Sequence, residues 1–274
     1  MTIESPTATA RLNATLISRY KFNHRFSILR VRPVKGRVPS FRPGQHITVG
    51  IPAGPAAQAT WDAQAGGNRE LTKRKYSIAS AADEYRHLEF FVVQPSEERE
   101  TPHLARLRVG ESLWLDSCAE GKLGIENLAR DRDLVLVSTG TAVAPAISIL
   151  RTYRGTDRWR RLVIINGVRM ADDLGYRYEL EAAARTDRSV YYLPIVSREP
   201  EGSDWHGMRG HVQNMLKEER YYELVGAALN PEHCEVIVCG NPGMVSSVRS
   251  LLEQSGFRVP TGQMPGNVHL ERYW

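Results

Sequence analysis

The feature that most constrains the fold of this 274-residue chain is a change in its hydrophobic pattern near Asp133. Before it, short runs rich in β-branched and aromatic residues are separated by turn signals such as Lys35-Gly36 and Val109-Gly110. After it, compact apolar runs alternate with longer stretches whose apolar residues have helical spacing. The sequence therefore predicts a two-domain fold, an antiparallel β-barrel over residues 1–128 followed by an α/β domain with a parallel sheet over residues 129–274.

The pattern also predicts individual elements. In the first domain, strands are expected at Thr15–Ser18, Phe26–Val31, His46–Ile51, Lys75–Ala79, Leu88–Gln94 and Ser112–Leu115. A short helix is expected within Thr101–Leu107, and the Ala/Gly/Gln-rich segment Ala53–Gly67 is predicted to be a loop insertion. In the second domain, strands are expected at Leu134–Val137, Leu162–Ile165, Val190–Val196 and Glu235–Val238, with helices at Ala144–Tyr153, Asp172–Arg185, Val212–Glu219 and Met244–Gln254.

Composition excludes several classes of protein. Three cysteines, Cys118, Cys234 and Cys239, are too few for an iron–sulfur cluster held by four thiolates and do not form a disulfide framework. Any single-electron chemistry would thus need an organic cofactor, and no metal site is expected. The absence of an apolar run of about 20 residues and of an apolar N-terminal core predicts a cytoplasmic protein without a membrane partner.

The net charge of +5 favours an acidic partner, such as an anionic cofactor or an acidic protein. Nucleic acid is the weaker interpretation, because the arginines are scattered singly among apolar segments and form no basic block with interleaved aromatic residues.

Arg74-Lys75-Tyr76-Ser77 lies at the start of a predicted strand. Alternation places Arg74 and Tyr76 on one face and Lys75 and Ser77 on the other. A guanidinium can bind phosphate oxygens in a bidentate manner, a tyrosine ring can stack on a flat heterocycle, and a serine hydroxyl can bind its edge. The alternative is an ordinary strand surface.

Two strand-to-helix turns in the second domain are rich in small residues. Ser138-Thr139-Gly140-Thr141-Ala142-Val143-Ala144-Pro145 follows the first parallel strand, where free backbone N–H groups could meet a phosphate or an amide. It lacks the full dinucleotide-binding fingerprint. Cys239-Gly240-Asn241-Pro242 is a similar turn, with Pro242 starting the helix. Cys239 could face a cofactor, or it could be a small buried hydrophobic residue.

Three separated arginines, Arg169, Arg198 and Arg209, each follow a predicted strand or precede a helix. Ligands of open α/β sheets bind outside the carboxyl ends of the strands, where arginines could converge on the 2′-phosphate of NADP. The alternative is three solvated surface arginines. The chain also ends on Tyr273 and Trp274, two aromatic residues that could cover flat ring systems.

These features, in this order, resemble the bacterial ferredoxin–NADP reductase family from about Ala10 to Trp274. The resemblance implies that Arg74 pairs with the FAD pyrophosphate, that Tyr76 stacks on the isoalloxazine and that Ser77 bonds near N5, with Lys75 in the same motif. Phe91, Val92 and Val93 would lend backbone contacts, Thr101 would meet the phosphates, and Gly121-Lys122-Leu123 would match the glycine turn after the barrel, with Lys122 departing from the usual apolar residue.

The same resemblance implies an NADP(H) site formed by Gly140, Arg169, Ser197, Arg198, Arg209, Gly240, Asn241 and Pro242. Thr141 would lie between flavin and nicotinamide, and Cys239 would face the nicotinamide. Tyr273 would cover the second flavin face and move aside during turnover, Trp274 would stack on the adenine of FAD, and Glu271 could relay a proton. The catalytic residues would thus be Ser77, Cys239, Glu271 and Tyr273.

The implied activity is FAD-mediated hydride transfer between NADP(H) and flavin, with single-electron exchange to an acidic ferredoxin or flavodoxin by a monomeric enzyme. Three alternatives stay open: a flavin reductase or diaphorase, a non-enzymatic nucleotide-binding regulator, and the reductase component of an oxygenase. The first conflicts with an aromatic C-terminal cap that would retain FAD, and the third with the cysteine count, since such a component normally carries an iron–sulfur domain.

Overall fold

The computed structural model describes residues 11–52, 71–94, 104–121, 125, 128, 130–262 and 264–272. The chain separates into two compact units, Met1–Glu120 and Gly121–Trp274. The segment Ala53–Gly67, Thr101, Tyr273 and Trp274 lie outside the described residues, so the predictions made for them stay predictions.

The first unit contains one antiparallel sheet of six strands. These strands are β1 (Ala14–Lys21), β2 (Phe26–Pro33), β3 (His46–Pro52), β4 (Leu71–Ser77), β5 (Leu88–Val93) and β6 (Ser112–Glu120). Their order in the sheet is β4-β3-β6-β1-β2-β5. Alternating residues such as Leu29, Val31, Ile47 and Val49 are fully buried in its core, as expected for strands with one face toward a hydrophobic interior.

Two elements of the first unit differ from the sequence prediction. Strand β4 begins at Leu71 and ends at Ser77, so it is shifted toward the N-terminus relative to the predicted strand Lys75–Ala79. Within the predicted helix Thr101–Leu107, the described part holds one 3₁₀ turn, Leu104–Arg106. Tyr76 and Ser77 thus stand at the end of a strand rather than in its first half.

The second unit contains a parallel sheet of six strands covered by helices. The strands are β7 (Asp133–Thr139), β8 (Arg161–Val168), β9 (Val190–Val196), β10 (Met208–Arg209), β11 (Cys234–Gly240) and β12 (Val268–Arg272). The helices are α1 (Ala144–Tyr153), α2 (Arg177–Thr186), α3 (Glu218–Val225) and α4 (Pro242–Gln254). Short 3₁₀ segments occur at Gly140–Val143, Ala171–Asp173 and Val212–Leu216. None of the helices that the structure describes is long and apolar enough to cross a membrane.

The strand order β10-β9-β8-β7-β11-β12 reverses direction once, between β7 and β11. The chain runs outward from β7 to β10 and then returns to the other side of β7. Such a reversal leaves a crevice at the carboxyl ends of the two central strands, and ligands of open α/β sheets bind there. The predicted fold class, a β-barrel-like domain followed by a parallel α/β domain, is confirmed.

The amino end of this sheet is held by a buried carboxylate. Asp133 is fully buried at the start of β7. Its Oδ1 lies 2.8 Å from Arg160 Nε, and its Oδ2 lies 3.3 Å from Arg161 Nη1. The two arginine side chains are 43% and 27% exposed, so solvent screens part of this attraction.

We expect the substitution Asp133→Asn to lower the free energy of unfolding by about 1–3 kcal/mol, because the site loses its negative charge and one of its two acceptor oxygens is replaced by an NH2 donor that faces a guanidinium. Urea unfolding followed by circular dichroism measures the change. Glu253→Gln is the matched control, since its partner Arg249 lies on the exposed face of α4, and should cost less than about 0.5 kcal/mol. Equal losses of unfolding free energy in the two variants would contradict a stabilising role for the buried Asp133 carboxylate.

Candidate functional site

In the first unit, the residues of the Arg74-Lys75-Tyr76-Ser77 motif lie on β4, an end strand of the sheet. The guanidinium of Arg74 is exposed and has no hydrogen-bond or ion-pair partner among the described residues. Lys75, in contrast, forms an ion pair, since its Nζ lies 2.6 Å from Glu120 Oε2. The hydrogen bond from Lys75 lowers the pKa of Glu120. Arg74 is therefore the cation of this motif that is available to bind an anion.

Tyr76 is half-buried, and tertiary contacts fix its ring. The ring centroid lies 5.9 Å from that of Phe90, and the hydroxyl accepts a hydrogen bond from the backbone N–H of Leu104 at 3.3 Å. Burial is the main cause that raises the pKa of the Tyr76 phenol, so the ring stays neutral at physiological pH. Ser77 ends β4 and pairs with His46 at the start of β3.

The residues predicted on β5 form the other end strand of the same sheet. Phe91 packs against Phe26 with ring centroids 5.3 Å apart, and Val92 is buried, whereas Val93 is 40% exposed. Among the named strands of this sheet β5 pairs with β2 alone. The opposite backbone edge of β5 lies outside this ladder, and at Glu89 it bonds Ala79 N at 2.9 Å and Ser80 Oγ at 2.7 Å.

In the second unit, both glycine turns lie at the point where the sheet reverses. Gly140 follows β7 with a φ of +57°, and Thr141 lies in the 3₁₀ segment that leads into α1. Gly240 ends β11 with a φ of +154°, and a Cβ there would approach Thr139 Oγ1 to 2.5 Å. Only glycine lets the two turns come this close. The structure thus brings the two predicted turns together at the crevice.

Asn241 and Pro242 begin helix α4. The Asn241 side chain accepts a hydrogen bond from Met244 N at 2.9 Å, which makes it the N-cap, and Pro242 occupies the first turn. The side-chain oxygen of Asn241 is therefore used inside the protein.

Cys239 is 3% exposed and pairs with Glu271 across β11 and β12. Its Sγ lies 4.0 Å from Glu271 Oε2. Burial, with a smaller contribution from the Glu271 charge, raises the pKa of the Cys239 thiol well above its usual range. The thiol is therefore protonated at neutral pH and is a poor nucleophile.

We expect a thiol reagent such as 5,5′-dithiobis(2-nitrobenzoate) to modify one of the three cysteines rapidly at pH 8. Cys118 is exposed on β6, whereas Cys234 and Cys239 are buried. Burial also raises the pKa of Cys234. The substitution Cys118→Ser should abolish the rapid phase, and rapid modification that survives it would show that a buried thiol is reactive.

Three of the four predicted 2′-phosphate residues converge through the β8–β9 pairing. Ser197 N and Oγ donate to Val168 O at 3.0 and 3.2 Å, and Arg198 N donates to Arg169 O at 2.8 Å. Arg169 and Arg198 are exposed, and neither guanidinium has a carboxylate partner among the described residues. Two unpaired guanidiniums therefore stand at neighbouring strand ends.

Arg209 lies nearby at the end of β10, but its guanidinium is occupied. It donates to Glu199 O at 2.6 Å, to Ser203 Oγ at 3.2 Å and to Trp205 O at 3.4 Å. Arg209 therefore holds the segment 199–205 in place, and because its three acceptors are neutral, its positive charge adds to those of Arg169 and Arg198.

Sequence reasoning missed two residues that support these arginines. Glu199 Oε2 accepts a hydrogen bond from Ala171 N at 2.6 Å, which joins the segment after β9 to the one after β8. Trp205 is buried below the Arg177 guanidinium, 5.0 Å from the ring centroid. Glu199 directly follows Arg198 in the sequence, and this adjacency is the signal that could have predicted its positioning role.

A barrel-like unit followed by a parallel sheet with two glycine turns at its reversal point is a suitable frame for a nucleotide-dependent oxidoreductase, and comparisons with known proteins show that class. The family profile described as "Oxidoreductase NAD-binding domain" matches residues 136–250. The chain is 32% identical over 208 residues to ferredoxin–NADP reductase A of Sorangium cellulosum, covering 73% of each protein. It is 30% identical to the flavodoxin/ferredoxin–NADP reductase of Escherichia coli, covering 75% of this chain and 82% of that one.

This chain belongs to the ferredoxin–NADP reductase family. Its fold is similar to that of a ferredoxin NADP⁺ reductase from Neisseria gonorrhoeae crystallised with FAD and NADP, with a TM-score of 0.78 at 23% identity over 95% of this chain and 97% of the other. The predicted family is thus confirmed.

Proposed function

We propose that this protein is a ferredoxin or flavodoxin–NADP(+) reductase that binds FAD in residues 1–128 and NADP(H) in residues 129–274. The family membership supports the activity, and the observation that carries the choice of NADP(H) is the pair of unpaired guanidiniums of Arg169 and Arg198 at adjacent strand ends. A phosphate group at the ribose 2′ position would supply the negatively charged partner that these guanidiniums lack.

The residues of the first unit fit FAD. Arg74 offers an unpaired guanidinium for the pyrophosphate. Tyr76 offers a ring held by Phe90 and Leu104 for stacking, and Ser77 offers a hydroxyl at the strand end. Phe91, Val92 and Val93 offer the outer backbone edge of β5. When bound, FAD would exchange two electrons with the nicotinamide and single electrons with the carrier protein.

The residues of the second unit orient the nicotinamide nucleotide. The glycine turns that contain Gly140 and Gly240 lie at the reversal point of the sheet, where their backbone would contact the nucleotide, and Gly240 allows the close approach to Thr139. Cys239, a buried neutral thiol, would lie beside the nicotinamide, and Glu271, which pairs with it across β11 and β12, would relay a proton. Arg209 and Glu199 keep the segment that follows β9 in position.

The roles of Thr101, Gly121, Tyr273 and Trp274 are part of the same proposal. Tyr273 would cover the flavin and move aside when the nicotinamide binds, and Trp274 would stack on the adenine. A cytoplasmic location, a monomeric state and an acidic ferredoxin or flavodoxin as partner belong to the proposal as well.

A visible absorption spectrum of the purified protein tests this function. We expect the bands of oxidised flavin, which bleach when NADPH is added without oxygen and bleach far more slowly with NADH. Transfer of electrons to a flavodoxin distinguishes the reductase from a flavin reductase, which would release its flavin on gel filtration. A colourless protein that cannot be reconstituted with FAD would overturn the proposal.

A further inference from the structure

The excess positive charge of this chain is confined to its first unit. Residues 1–120 carry 17 Lys and Arg against 12 Asp and Glu, whereas residues 121–274 carry 19 of each. The whole net charge of +5 is thus contributed by the unit proposed to hold FAD. An acidic protein that approaches the enzyme is attracted to this unit rather than to the neutral one.

One exposed cluster of this unit combines an aromatic ring with two free guanidiniums. Tyr85 is 49% exposed, and the guanidinium carbons of Arg37 and Arg86 lie 5.2 and 5.4 Å from its ring centroid. Both arginines are exposed, and neither has a carboxylate partner in the described part of the chain. We call Arg37, Tyr85 and Arg86 the tyrosine–arginine cluster.

The backbone holds this cluster in place. Val38 N donates to Tyr85 O at 3.1 Å, which joins the β2–β3 loop to the β4–β5 turn. The adjacent carboxylate of Glu84 accepts a hydrogen bond from the backbone N–H of Arg86 at 2.7 Å, and its other oxygen lies 3.8 Å from His87 Nδ1. The carboxylate is therefore used locally and leaves both guanidiniums available.

The cluster also lies at the end of the sheet that carries Ser77. Ser77 pairs with His46, and Ile78 N donates to Gln45 O at 3.0 Å. The loop that contains Arg37 therefore leads into β3 beside Ser77, and the turn that contains Tyr85 and Arg86 leaves β4 just after it. A protein bound there would lie at the end of the unit where the flavin is proposed to be.

We propose that the tyrosine–arginine cluster is the docking anchor for the acidic one-electron carrier protein, an inference that rests on the proposed function. Tyrosine and arginine, together with tryptophan, are enriched at binding hot spots. Guanidiniums held against a ring lose little side-chain entropy when they bind, and each can pair with a carboxylate through two hydrogen bonds. The three side chains therefore form a preformed surface for an acidic patch.

The test measures electron transfer from NADPH to a flavodoxin of net negative charge, using the full-length enzyme with bound FAD. We expect the KM for flavodoxin to rise about tenfold in Arg37→Gln/Arg86→Gln and in Tyr85→Ala, the effect of losing a hot-spot residue. Tyr85→Phe, which keeps the ring under the guanidiniums, should retain the native KM. The salt dependence of the rate should be weaker in the double arginine variant.

The matched control is Arg108→Gln/Arg188→Gln, which removes the same charge. Arg108 is an exposed residue just before β6, whose far end pairs with His46, and Arg188 is exposed in the second unit. The control should leave the KM for flavodoxin within about twofold of the native value. A loss of equal size in the control would overturn the inference, because net charge rather than the cluster would then govern docking.

Reduction of 1,4-benzoquinone by NADPH separates this inference from the proposed function. Because the quinone is neutral and needs no docking surface, all variants should reduce it at the native rate. A native enzyme that reduces neither quinone nor flavodoxin would refute the proposed function. Native quinone reduction in every variant, combined with an unchanged KM for flavodoxin in both cluster variants, would refute the docking anchor alone.

Discussion

The Tyr76→Ala protein is expected to purify almost free of FAD. Stacking of an aromatic side chain on a heterocycle contributes about 1–3 kcal/mol, and removal of a half-buried ring also leaves a cavity beside Phe90. Together these effects should weaken FAD binding by about 100-fold or more. The ratio of flavin to protein absorbance after gel filtration, followed by fluorescence titration of FAD into the apoprotein, measures the loss.

Tyr76→Phe separates the ring from its hydroxyl. This variant keeps the stacking surface and loses the hydroxyl that accepts from the backbone N–H of Leu104, so it should retain FAD. Because the pKa of the Tyr76 phenol is raised, the native side chain is neutral on both sides of pH 7, and FAD binding should show no titration of this group near neutrality. Stoichiometric FAD in Tyr76→Ala would contradict the proposed FAD site.

The second large effect concerns the choice between nicotinamide cofactors. We expect Arg169→Ala/Arg198→Ala to lower kcat/KM for NADPH by about 100- to 10,000-fold, because each lost charged hydrogen bond to a phosphate costs about 1.5–3 kcal/mol. The value for NADH should change by less than about threefold, since NADH has no 2′-phosphate for these residues to bind. Steady-state kinetics with both cofactors measures the two constants.

Two comparisons sharpen this experiment. Arg188→Ala removes an exposed charge from the same unit and should leave both constants unchanged. Arg209→Ala should lower the rate with NADPH less than the double variant does, because the Arg209 guanidinium is engaged by Glu199, Ser203 and Trp205. Equal losses with NADPH and NADH in the double variant would show that the two arginines support the fold instead of selecting the cofactor.

The sequence predicted the regular elements with strong hydrophobic periodicity. Strand β9 and helix α1 have the predicted bounds, Val190–Val196 and Ala144–Tyr153. The two edge strands of the parallel sheet were missed. Strand β10 has two residues, and β12 alternates apolar with polar residues at the end of the sheet. Edge strands that are short or half-exposed give a weak apolar signal, and their pairing is decided by the neighbouring strand.

Two predicted helices are interrupted in the structure. The segment Asp172–Arg185 contains Tyr176 with a φ of +59°, which separates the 3₁₀ turn Ala171–Asp173 from α2. The segment Val212–Glu219 breaks at Lys217, whose extended backbone ends a 3₁₀ segment before α3 begins. Apolar spacing continues through both breaks, so periodicity alone could not detect them.

The candidate site was predictable as a set of residues but not as an arrangement. Glycine turns and arginines after strands are visible in the sequence, because their backbone positions follow from the alternation of strands and helices. Which arginines hydrogen-bond within the protein and which keep an exposed guanidinium depends on tertiary contacts. Examples are the hydrogen bonds from Arg198 N to Arg169 O and from the Arg209 guanidinium to Glu199 O. The helix cap formed by Asn241 and the ion pair between Lys75 and Glu120 likewise depend on which group each side chain contacts in the folded protein.

The order of strands in the parallel sheet has a consequence for how such an enzyme can evolve. The two glycine turns follow β7 and β11, whereas the free arginines follow β8 and β9, with Arg209 on β10 at the sheet's edge. On the proposed assignment, mutations in the outer strand ends would change which coenzyme is accepted while the central turns keep their geometry. An enzyme of this kind could then change its preference between NADPH and NADH during evolution without any change in the central turns after β7 and β11.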